Sequence, residues 1–245
     1  MKAAQAQPLD EEISISLHQE PLRQAGTEEE GIFAADVPFI SSWRYQFVKR
    51  LLDFAGAAVV LTLMALPCLL IAGCVACTSP GGVFYREERI GQDGRRFKIW
   101  KFRTMKVNAS QQAKVYASHS GGVVLEWRMQ KRLHDPRITI IGGFLRRWSL
   151  DEMPQLINVL RGEMSLIGPR PIVEAETVLY GNRLRYYLAA KPGLSGLWQV
   201  SGRSNVGYQH RAWLDELYVR SWSLRSDARI FLRTFPAVLQ REGAY

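Results

Sequence analysis

The stretch FAGAAVVLTLMALPCLLIAGCVAC, from Phe54 to Cys77, is 24 residues long and carries no charged side chain. A helix of about 20 apolar residues is long enough to cross a bilayer. Pro67 lies near the middle, and a proline inside a helix removes one backbone hydrogen bond and bends the chain. At about 1.5 Å per residue, each arm beside Pro67 reaches roughly halfway across about 30 Å of hydrocarbon. The stretch therefore predicts a membrane-embedded helix that is broken at Pro67.

Positive charge stands on both sides of this apolar stretch. Three basic residues precede it and four follow it: Arg44, Lys49 and Arg50, then Arg86, Arg89, Arg95 and Arg96. Lys and Arg concentrate on the cytoplasmic side of membrane helices, so basic flanks at both ends conflict with a simple crossing. A hairpin that enters the bilayer, turns at the proline and leaves by the same face satisfies both flanks. A kinked transmembrane helix remains the alternative on the residues alone, and a buried helix of a soluble protein fits the uncharged length less well.

The charge of the chain is unevenly distributed. The net charge is +9 over 245 residues, but residues 1–40 hold two basic and eight acidic side chains, so the rest carries +15. A body this basic implies an anionic partner, either nucleic acid, lipid headgroups or phosphorylated substrates. Residues 1–42, acidic and poor in aromatic residues, are predicted to form a disordered tail. The start of the sequence lacks the apolar run of a signal peptide.

Beyond the apolar stretch, two runs of strand-forming residues predict a β-hairpin. Val83–Arg89 and Arg95–Phe102 flank a turn that contains Gly and Asp. The second run continues into KIWKFRTMK, a basic cluster in which Lys101 and Arg103 would point to the same side of a strand. Such a cluster is either a solvated basic face or a site for an anion. Residues 106–134 predict a polar loop followed by a short helix.

The segment LRRWSLDEMPQLINVLRGEMSLIGPRP, residues 145–171, places two carboxylates side by side at Asp151 and Glu152. Ser149 and Glu152 have the spacing of a capping box, so the acid pair is predicted to lie in the first turn of a helix that ends at Gly162. Carboxylates are favourable there because they face the positive end of the helix dipole. Capping alone is a sufficient structural explanation for the two acids.

Arginines around the acid pair favour a chemical role as well. Arg146, Arg147 and Arg170 supply guanidinium groups, which bind phosphate oxygens well. Neighbouring cations and the helix dipole are expected to lower the pKa of Asp151 and keep it ionised. An ionised carboxylate among phosphate-binding groups can attack phosphorus and form an aspartyl phosphate. Two anions that approach each other need a counter-cation, which Mg²⁺ would supply with few protein ligands and several phosphate oxygens.

Two further stretches allow two interpretations each. The Gly/Ser-rich loop Lys191–Ser204 contains Trp198, which could stack on a nucleobase, although turns are the simpler interpretation. The last helical stretch, SDARIFLRTFPAVLQREG, interleaves arginines with large apolar residues. That pattern suits a helix at a membrane interface and suits core packing equally well. The three cysteines and four histidines show no metal-ligand spacing.

The chain resembles the bacterial sugar transferases, monotopic polyprenyl-phosphate sugar-1-phosphate transferases of the exopolysaccharide-initiating kind. The blocks that carry the resemblance are KRLLDFAGAAVVL, KFRTM, DPRITIIGGFLRRWSLDEMPQLINVLRGEMSLIGPRP, PGLSGLWQVSGR and DELYVRSWSLRSD. The likeness runs from about Lys49 to the C-terminus. It implies an α+β, mostly helical fold, with a re-entrant membrane helix hairpin at 43–80. A small cytoplasmic catalytic domain at 81–245 is implied to contain the β-hairpin and interfacial amphipathic helices.

The resemblance implies a two-step reaction. Asp151 attacks the phosphorus of a UDP-hexose, galactose or glucose, so that UMP leaves and a covalent aspartyl-phosphosugar forms. Undecaprenyl phosphate then takes the hexose 1-phosphate, in the first membrane step of exopolysaccharide or capsule assembly. Asp151 is also the implied Mg²⁺ ligand, and Glu152 the second acid that helps to place the metal or the acceptor. The basic positions implied to hold phosphate groups are Lys101, Arg103, Arg146 and Arg170.

The same resemblance addresses membrane placement and partners. The apolar segment of the family is a re-entrant hairpin broken at a proline, which Pro67 matches, although Leu66 stands where many members have serine. The implied location is the bacterial inner membrane, with the catalytic domain on the cytoplasmic face. The implied partners are UDP-hexose, undecaprenyl phosphate and membrane lipids, while a homodimer and downstream glycosyltransferases stay open.

Parts of the sequence are also compatible with other functions. No nucleic-acid module is recognisable in the sequence, so nucleic acid is not an expected partner. A membrane-anchored phosphodiester hydrolase would use the same acid pair, a metal and water as the acceptor. A non-catalytic scaffold of a polysaccharide-assembly complex would use only the basic surface. The acid pair argues against the scaffold, and a hairpin that brings a lipid phosphate to the site favours transfer over hydrolysis.

Overall fold

The structure, a computed structural model, describes residues 42–78, 80–107, 109, 135, 137–202 and 207–239. Within these ranges the protein is mostly helical, with two small two-stranded sheets, as the predicted α+β class requires. The helices are α1 Trp43–Leu63, α2 Ala65–Thr78, α3 Ile140–Arg147, α4 Leu156–Arg161, α5 Thr177–Tyr180, α6 Leu184–Ala189, α7 Leu197–Val200, α8 Tyr208–Arg220 and α9 Leu224–Leu239. The strands are β1 Phe84–Ile90, β2 Arg96–Phe102, β3 Ser165–Ile167 and β4 Gly193–Ser195. The predicted tail, apart from Ser42, and most of the predicted loop and helix at 106–134 lie outside the described residues.

The apolar stretch forms the two helices α1 and α2, which meet at Met64 with a bend of 62°. The break therefore lies before Pro67 and not at Pro67 itself. Pro67 sits in the first turn of α2, where its missing N–H leaves no helical hydrogen bond unmade. A proline ring clashes with the carbonyl four residues earlier, here that of Leu63, and Leu63 is the last residue of α1. The proline thus breaks the helix one turn upstream of its own position.

Neither arm of this pair is a candidate membrane span by itself. In the described part of the chain, no single helix is both long and apolar enough to span a membrane, and only the bent pair reaches that length and composition. Large apolar side chains are exposed along both arms, among them Leu52, Val59, Leu63, Leu66, Leu69 and Leu70. The surface of the bent pair is therefore apolar over much of its length.

Charged side chains fasten the first turns of α1 to the rest of the fold. Lys49 Nζ lies 2.6 Å from the carboxylate of Asp227 in α9. The buried carboxylate of Asp53 accepts hydrogen bonds from Ser165 Oγ and from the backbone N–H of Leu166, both at 3.0 Å. These contacts fix the direction in which the apolar pair leaves the body of the protein.

The predicted β-hairpin is confirmed. Strands β1 and β2 pair antiparallel, with Phe84 opposite Phe102 and Tyr85 opposite Lys101. The fully buried amide of Asn158 in α4 locks β2 in place, because its Oδ1 accepts from the backbone N–H of Trp100 at 3.1 Å. Its Nδ2 donates to the backbone carbonyl of Lys98 at 2.9 Å. The hairpin is thereby held against the segment that carries the acid pair.

The second sheet joins two sequence blocks that lie far apart in the chain. Strands β3 and β4 pair in parallel, with Ser165 opposite Gly193. The backbone N–H of Gly168 donates to the Ser195 carbonyl at 2.9 Å, and that of Gly193 donates to the Pro169 carbonyl at 2.7 Å. A Cβ at Gly168 or Gly193 would collide with the facing backbone, so only glycine allows this approach. The GPRP loop and the PGLSGLW loop therefore form one rigid unit.

The core-packing interpretation of the last helix, α9, is confirmed for one of its faces. Ile230 is 4% exposed and belongs to the apolar core around Tyr218 and Trp222. Leu232 and Phe235 on the same helix are 68% and 56% exposed. One face of α9 thus packs into the core, while another presents large apolar side chains outward.

Candidate active site

The acid pair lies in a short 3-10 helix, Leu150–Gln155, that leads into α4. Ser149 adopts a left-handed backbone conformation with φ 55°, and its side chain makes no capping hydrogen bond. The predicted capping box is therefore wrong, since an N-cap residue normally has an extended backbone and Ser149 is left-handed. The predicted end of the helix is confirmed, since Gly162 terminates α4 with φ 81°.

Glu152 contacts the β-hairpin directly. Lys101 Nζ, on β2, donates to Glu152 Oε1 at 2.6 Å. The two residues are far apart in sequence, and the contact exists because Asn158 holds β2 against the acidic segment. A predicted phosphate-binding cation thus lies against one carboxylate of the acid pair.

Asp151 is largely buried, at 9% exposure. Burial raises the pKa of its carboxyl above the ordinary value, and the charge of Glu152 raises it further, while Lys101 and Arg146 oppose the shift. The expectation of a lowered pKa is therefore wrong for the protein without ligands. The cause is desolvation together with the adjacent acid, which outweighs the two cations. A metal cation beside the pair would favour the ionised carboxylate.

Arg146, from the last turn of α3, stands on the same side as Asp151. Its Nε donates to Thr104 Oγ1 at 2.8 Å, which fixes the side chain between α3 and the end of the hairpin. Burial lowers the pKa of Arg146, while the charges of Asp151, Asp135 and Glu152 act to raise it. A guanidinium is still cationic after a lowering of this kind. The helix itself begins at Thr139, whose hydroxyl caps the N–H of Gly142 at 2.9 Å.

Arg170 is held by the backbone of the GPRP loop. The carbonyl of the preceding Pro169 accepts from Gly193, as described above, and the Ile172 carbonyl accepts from Ile90 N–H at 2.9 Å. Burial lowers the pKa of Arg170, but the charges of Glu176 and Glu152 outweigh burial and the net shift is upward. Arg170 thus lies within electrostatic range of the acid pair.

Arg103 occupies a different position. It follows the last residue of β2, and its backbone N–H donates to the Val83 carbonyl at 2.9 Å. Its guanidinium lies against Gly81, in the connection between α2 and β1, so closely that a side chain at Gly81 would collide with it. This arginine therefore stands where the bent helix pair joins the hairpin.

Asp151, the predicted Mg²⁺ ligand, has a neighbouring carboxylate, that of Glu152. Among the described residues, no group of three or more His, Cys, Asp or Glu side chains is arranged to hold a metal. Mg²⁺ commonly binds through one or two carboxylates, with the remaining positions filled by substrate phosphates and water. Two adjacent carboxylates, one of them buried with a raised pKa, fit such a substrate-shared ion and do not fit a closed all-protein site.

The structure also brings together Trp198, for which the sequence left two interpretations open, and Asp215, to which the sequence assigned no role. Trp198 is 7% exposed, and the guanidinium carbons of Arg170 and Arg211 lie 5.6 Å and 4.9 Å from its ring centroid. Its ring is therefore packed against arginines and not presented for stacking on a base. Asp215, in the DELYV block, accepts from Tyr180 Oη at 2.7 Å and is 1% exposed. The DELYVRSWSLRSD block, one of those that carry the family resemblance, was the sequence signal for this cluster.

Comparison with known proteins gives consistent matches. A family model described as "Bacterial sugar transferase" matches residues 44–241. The UDP-galactose-lipid carrier transferase of Erwinia amylovora is 47% identical over 201 residues, which make up 82% of this chain and 42% of that protein. The exopolysaccharide production protein ExoY of Rhizobium meliloti is 44% identical over 198 residues, 80% of this chain and 88% of that protein.

A third relative is named for glucose, whereas the Erwinia relative is named for galactose. The UDP-glucose:undecaprenyl-phosphate glucose-1-phosphate transferase of Caulobacter vibrioides is 40% identical over 205 residues, 80% of this chain and 72% of that protein. The chain spans less than half the length of the Erwinia relative and most of the length of the other two. These matches place the chain among enzymes that transfer sugars. It belongs to the bacterial sugar transferase family, as the sequence blocks predicted.

Proposed function

We propose that this protein transfers hexose 1-phosphate from a UDP-hexose, galactose or glucose, to undecaprenyl phosphate and releases UMP. The observation that carries the proposal is the arrangement of the acid pair, with Lys101 2.6 Å from Glu152 and Arg146 within electrostatic range of Asp151. Relatives named for galactose- and glucose-phosphate transfer to lipid carriers support the substrate classes. A relative named for exopolysaccharide production supports a place at the start of such a polymer.

In the first step, an Asp151 carboxylate oxygen attacks the phosphorus that bears the sugar. The new bond joins Asp151 to that phosphorus, and the bond between the two phosphates of the donor breaks, so that UMP leaves with the electron pair. Arg146, beside Asp151, is placed to neutralise charge on the phosphoryl oxygens. Lys101 pairs with Glu152, and its positive charge offsets part of the repulsion between the two acids.

In the second step, an oxygen of undecaprenyl phosphate attacks the same phosphorus. The bond to Asp151 breaks and its carboxylate is restored, so the enzyme returns to its starting state. Asp151, with Glu152 beside it, would hold Mg²⁺, which neutralises the phosphate charge that both attacking anions must approach. Arg170, which lies within electrostatic range of Glu152, adds a further fixed cation for the diphosphate or the lipid phosphate.

The proposed membrane arrangement follows from the bent pair α1 and α2. Residues 43–80 would form a re-entrant hairpin in the inner membrane, and 81–245 a catalytic domain on the cytoplasmic face. The 62° bend and the exposed apolar side chains on both arms support this arrangement. The outward apolar face of α9 would lie at the headgroup region. The lipid phosphate would then reach the acid pair from the membrane surface.

The test is a reaction with purified protein in nanodiscs that contain undecaprenyl phosphate. We expect UMP release from UDP-galactose or UDP-glucose to depend on the lipid phosphate and on Mg²⁺, with ping-pong kinetics. A sugar-phosphate adduct on Asp151 should be detectable by peptide mass spectrometry when the lipid is omitted. Steady release of free sugar phosphate to water without the lipid would instead identify a hydrolase and reject the proposal.

A further inference from the structure

A small chamber lies between the GPRP loop and helices α5, α7 and α8. Its walls include Arg170, Tyr180, Trp198, Tyr208, Arg211 and Asp215. Trp198 and Asp215 are buried, whereas Tyr208 and Arg211 are partly exposed. The chamber therefore has a closed floor formed by the first two residues and a more accessible rim formed by the second two.

Three polar atoms that line the chamber have no hydrogen-bond partner within the described part of the protein. They are Trp198 Nε1, the hydroxyl oxygen of Tyr208 and Asp215 Oδ1. Buried polar side chains are partnered in the great majority of cases, so each such atom calls for an explanation. All three atoms belong to residues that line the same chamber, and two of these residues, Trp198 and Asp215, are more than nine-tenths buried. The chamber is therefore a place for a polar ligand group.

The chemistry of the three atoms restricts that group. An indole N–H only donates, a carboxylate oxygen only accepts unless it is protonated, and a phenol hydroxyl does both. A phosphate oxygen could accept from Trp198, but above about pH 7, where Asp215 is ionised, it would be repelled by that carboxylate. A methyl group would leave all three atoms unpaired. A ligand hydroxyl can accept from Trp198 and donate to Asp215, so it alone among these satisfies all the atoms at once.

The position of Arg170 connects the chamber to the acid pair. Arg170 lines the chamber and lies 5.6 Å from the Trp198 ring centroid, and the charge of Glu152 also acts on it. A sugar whose phosphate is near the acid pair would therefore extend past Arg170 toward Trp198 and Asp215. The small size of the chamber admits a single hydroxyl group and not a nucleobase.

We propose that this chamber binds one hydroxyl group of the sugar and so selects the hexose, an inference that rests on the proposed function. Trp198 Nε1 donates to one sugar hydroxyl, and Asp215 Oδ1 accepts from the same hydroxyl. Tyr180, which donates to Asp215 Oδ2 at 2.7 Å, fixes the direction of that carboxylate. Galactose and glucose differ in the direction of one hydroxyl, so a subsite of this kind can distinguish them.

The test compares kcat/KM for UDP-galactose, UDP-glucose and deoxy analogues of the preferred sugar, each lacking one hydroxyl. The full chain is assayed in nanodiscs with undecaprenyl phosphate. We expect one deoxy analogue to lose at least about tenfold in kcat/KM, since a site built to bind a hydroxyl rejects a ligand without it. In Trp198→Phe and Asp215→Asn, that discrimination should shrink at least about fivefold. A wild-type protein that treats every analogue alike would overturn the inference.

A matched control separates recognition from packing. Trp222→Phe removes an indole N–H that is buried elsewhere and donates to Asp227 at 3.1 Å. This variant should keep the wild-type ratio between analogues. If Trp198→Phe lowers kcat/KM by the same factor for every sugar, the chamber has only a structural role and the inference is wrong.

Binding without turnover distinguishes this inference from the proposed function. In an Asp151→Asn background, calorimetry measures the affinity for UDP-galactose, UDP-glucose and UDP. Hexose-selective binding that Trp198→Phe abolishes would support the subsite even if no lipid-dependent transfer were found. Equal affinity for both hexoses in this background would reject the subsite even if transfer proceeds.

Discussion

The ammonium group of Lys101 lies 2.6 Å from the carboxylate of Glu152, and this contact joins the β-hairpin to the acid pair. The side chains are 24% and 37% exposed, so the ion pair contributes little to stability, about 0–1 kcal/mol. Its larger effect is the positive charge that it fixes beside Asp151, where it opposes the rise in pKa caused by burial and by Glu152. The Lys101–Glu152 ion pair therefore acts on the reactivity of Asp151 more than on the stability of the fold.

Lys101→Met should lower kcat/KM at least about tenfold while leaving the Tm almost unchanged. Because Lys101 lowers the pKa of Asp151, its removal raises that pKa further and moves the acidic limb of the pH–rate profile to higher pH. Lys98→Met is the control, since Lys98 is exposed on the same strand. An acidic limb that stays in place in Lys101→Met would contradict the coupling.

Asp151→Asn should abolish transfer and raise the Tm slightly at pH 8. The folded-state pKa of Asp151 is raised, so the protonated form is favoured in the fold and the carboxylate costs stability as pH rises through that pKa. The uncharged amide avoids this cost. Thermal unfolding of both proteins at pH 5 and pH 8 measures the difference in Tm, and we expect a smaller rise in Tm at pH 5. Retained activity in this variant would reject Asp151 as the nucleophile.

Asp215 should make the stability of the protein depend on pH. Burial raises its pKa from 3.8 to about 7, against hydrogen bonding by Tyr180 and the charge of Arg170. The protonated form is therefore favoured in the fold, and stability is lost as pH rises from about 4 through about 7. The Tm of Asp215→Asn minus the Tm of the wild type should therefore be larger at pH 8 than at pH 5. Parallel Tm–pH curves for the two proteins would show that this carboxyl does not titrate in the fold.

Pro67→Leu should straighten the bent pair. It restores an N–H that can donate to the Leu63 carbonyl and removes the ring that clashes with it. The straightened helix would be long enough to cross a bilayer, so we expect its two ends to become accessible from opposite sides of the membrane. Single cysteines at Trp43 and Pro80, labelled from each side, measure this, with Leu66→Ala as the control. Unchanged same-side labelling would show that Pro67 does not set the topology.

Asp53→Ala should destabilise the attachment of α1 to the body. It removes the acceptor of the Leu166 N–H and leaves that group unpaired, at a cost of about 1–3 kcal/mol, while Ser165 Oγ keeps the Ile167 carbonyl as an acceptor at 2.8 Å. Glu88→Ala removes an exposed ion pair with Arg96 and serves as the control, with little change expected. Chemical unfolding in detergent gives both values. Equal effects of the two substitutions would mean that Asp53 does not anchor the helix.

Local patterns were sufficient for much of the fold. The uncharged length of 54–77 with its proline predicted two apolar arms, and the strand-forming runs around Asp93 predicted the hairpin. Both follow from interactions between residues close in the chain. The same local reasoning failed at Ser149, where the spacing of a capping box was present but a left-handed turn was adopted. It also predicted the helix break at Pro67, whereas the break lies at Met64. The reason is that a proline ring clashes with the carbonyl four residues earlier in the chain.

The sequence by itself determined which residues carry charge, where the chain is apolar, and which blocks match a family, and these gave Asp151, Glu152 and the surrounding cations as candidates. Only the tertiary structure decided that Lys101 meets Glu152, that Asp151 is buried with a raised pKa, and that Trp198, Tyr208 and Asp215 face one chamber. The physical reason is that hydrogen bonding and burial depend on contacts between distant segments. Those contacts arise here when Asn158 locks the hairpin and when the glycines of two loops let their backbones touch.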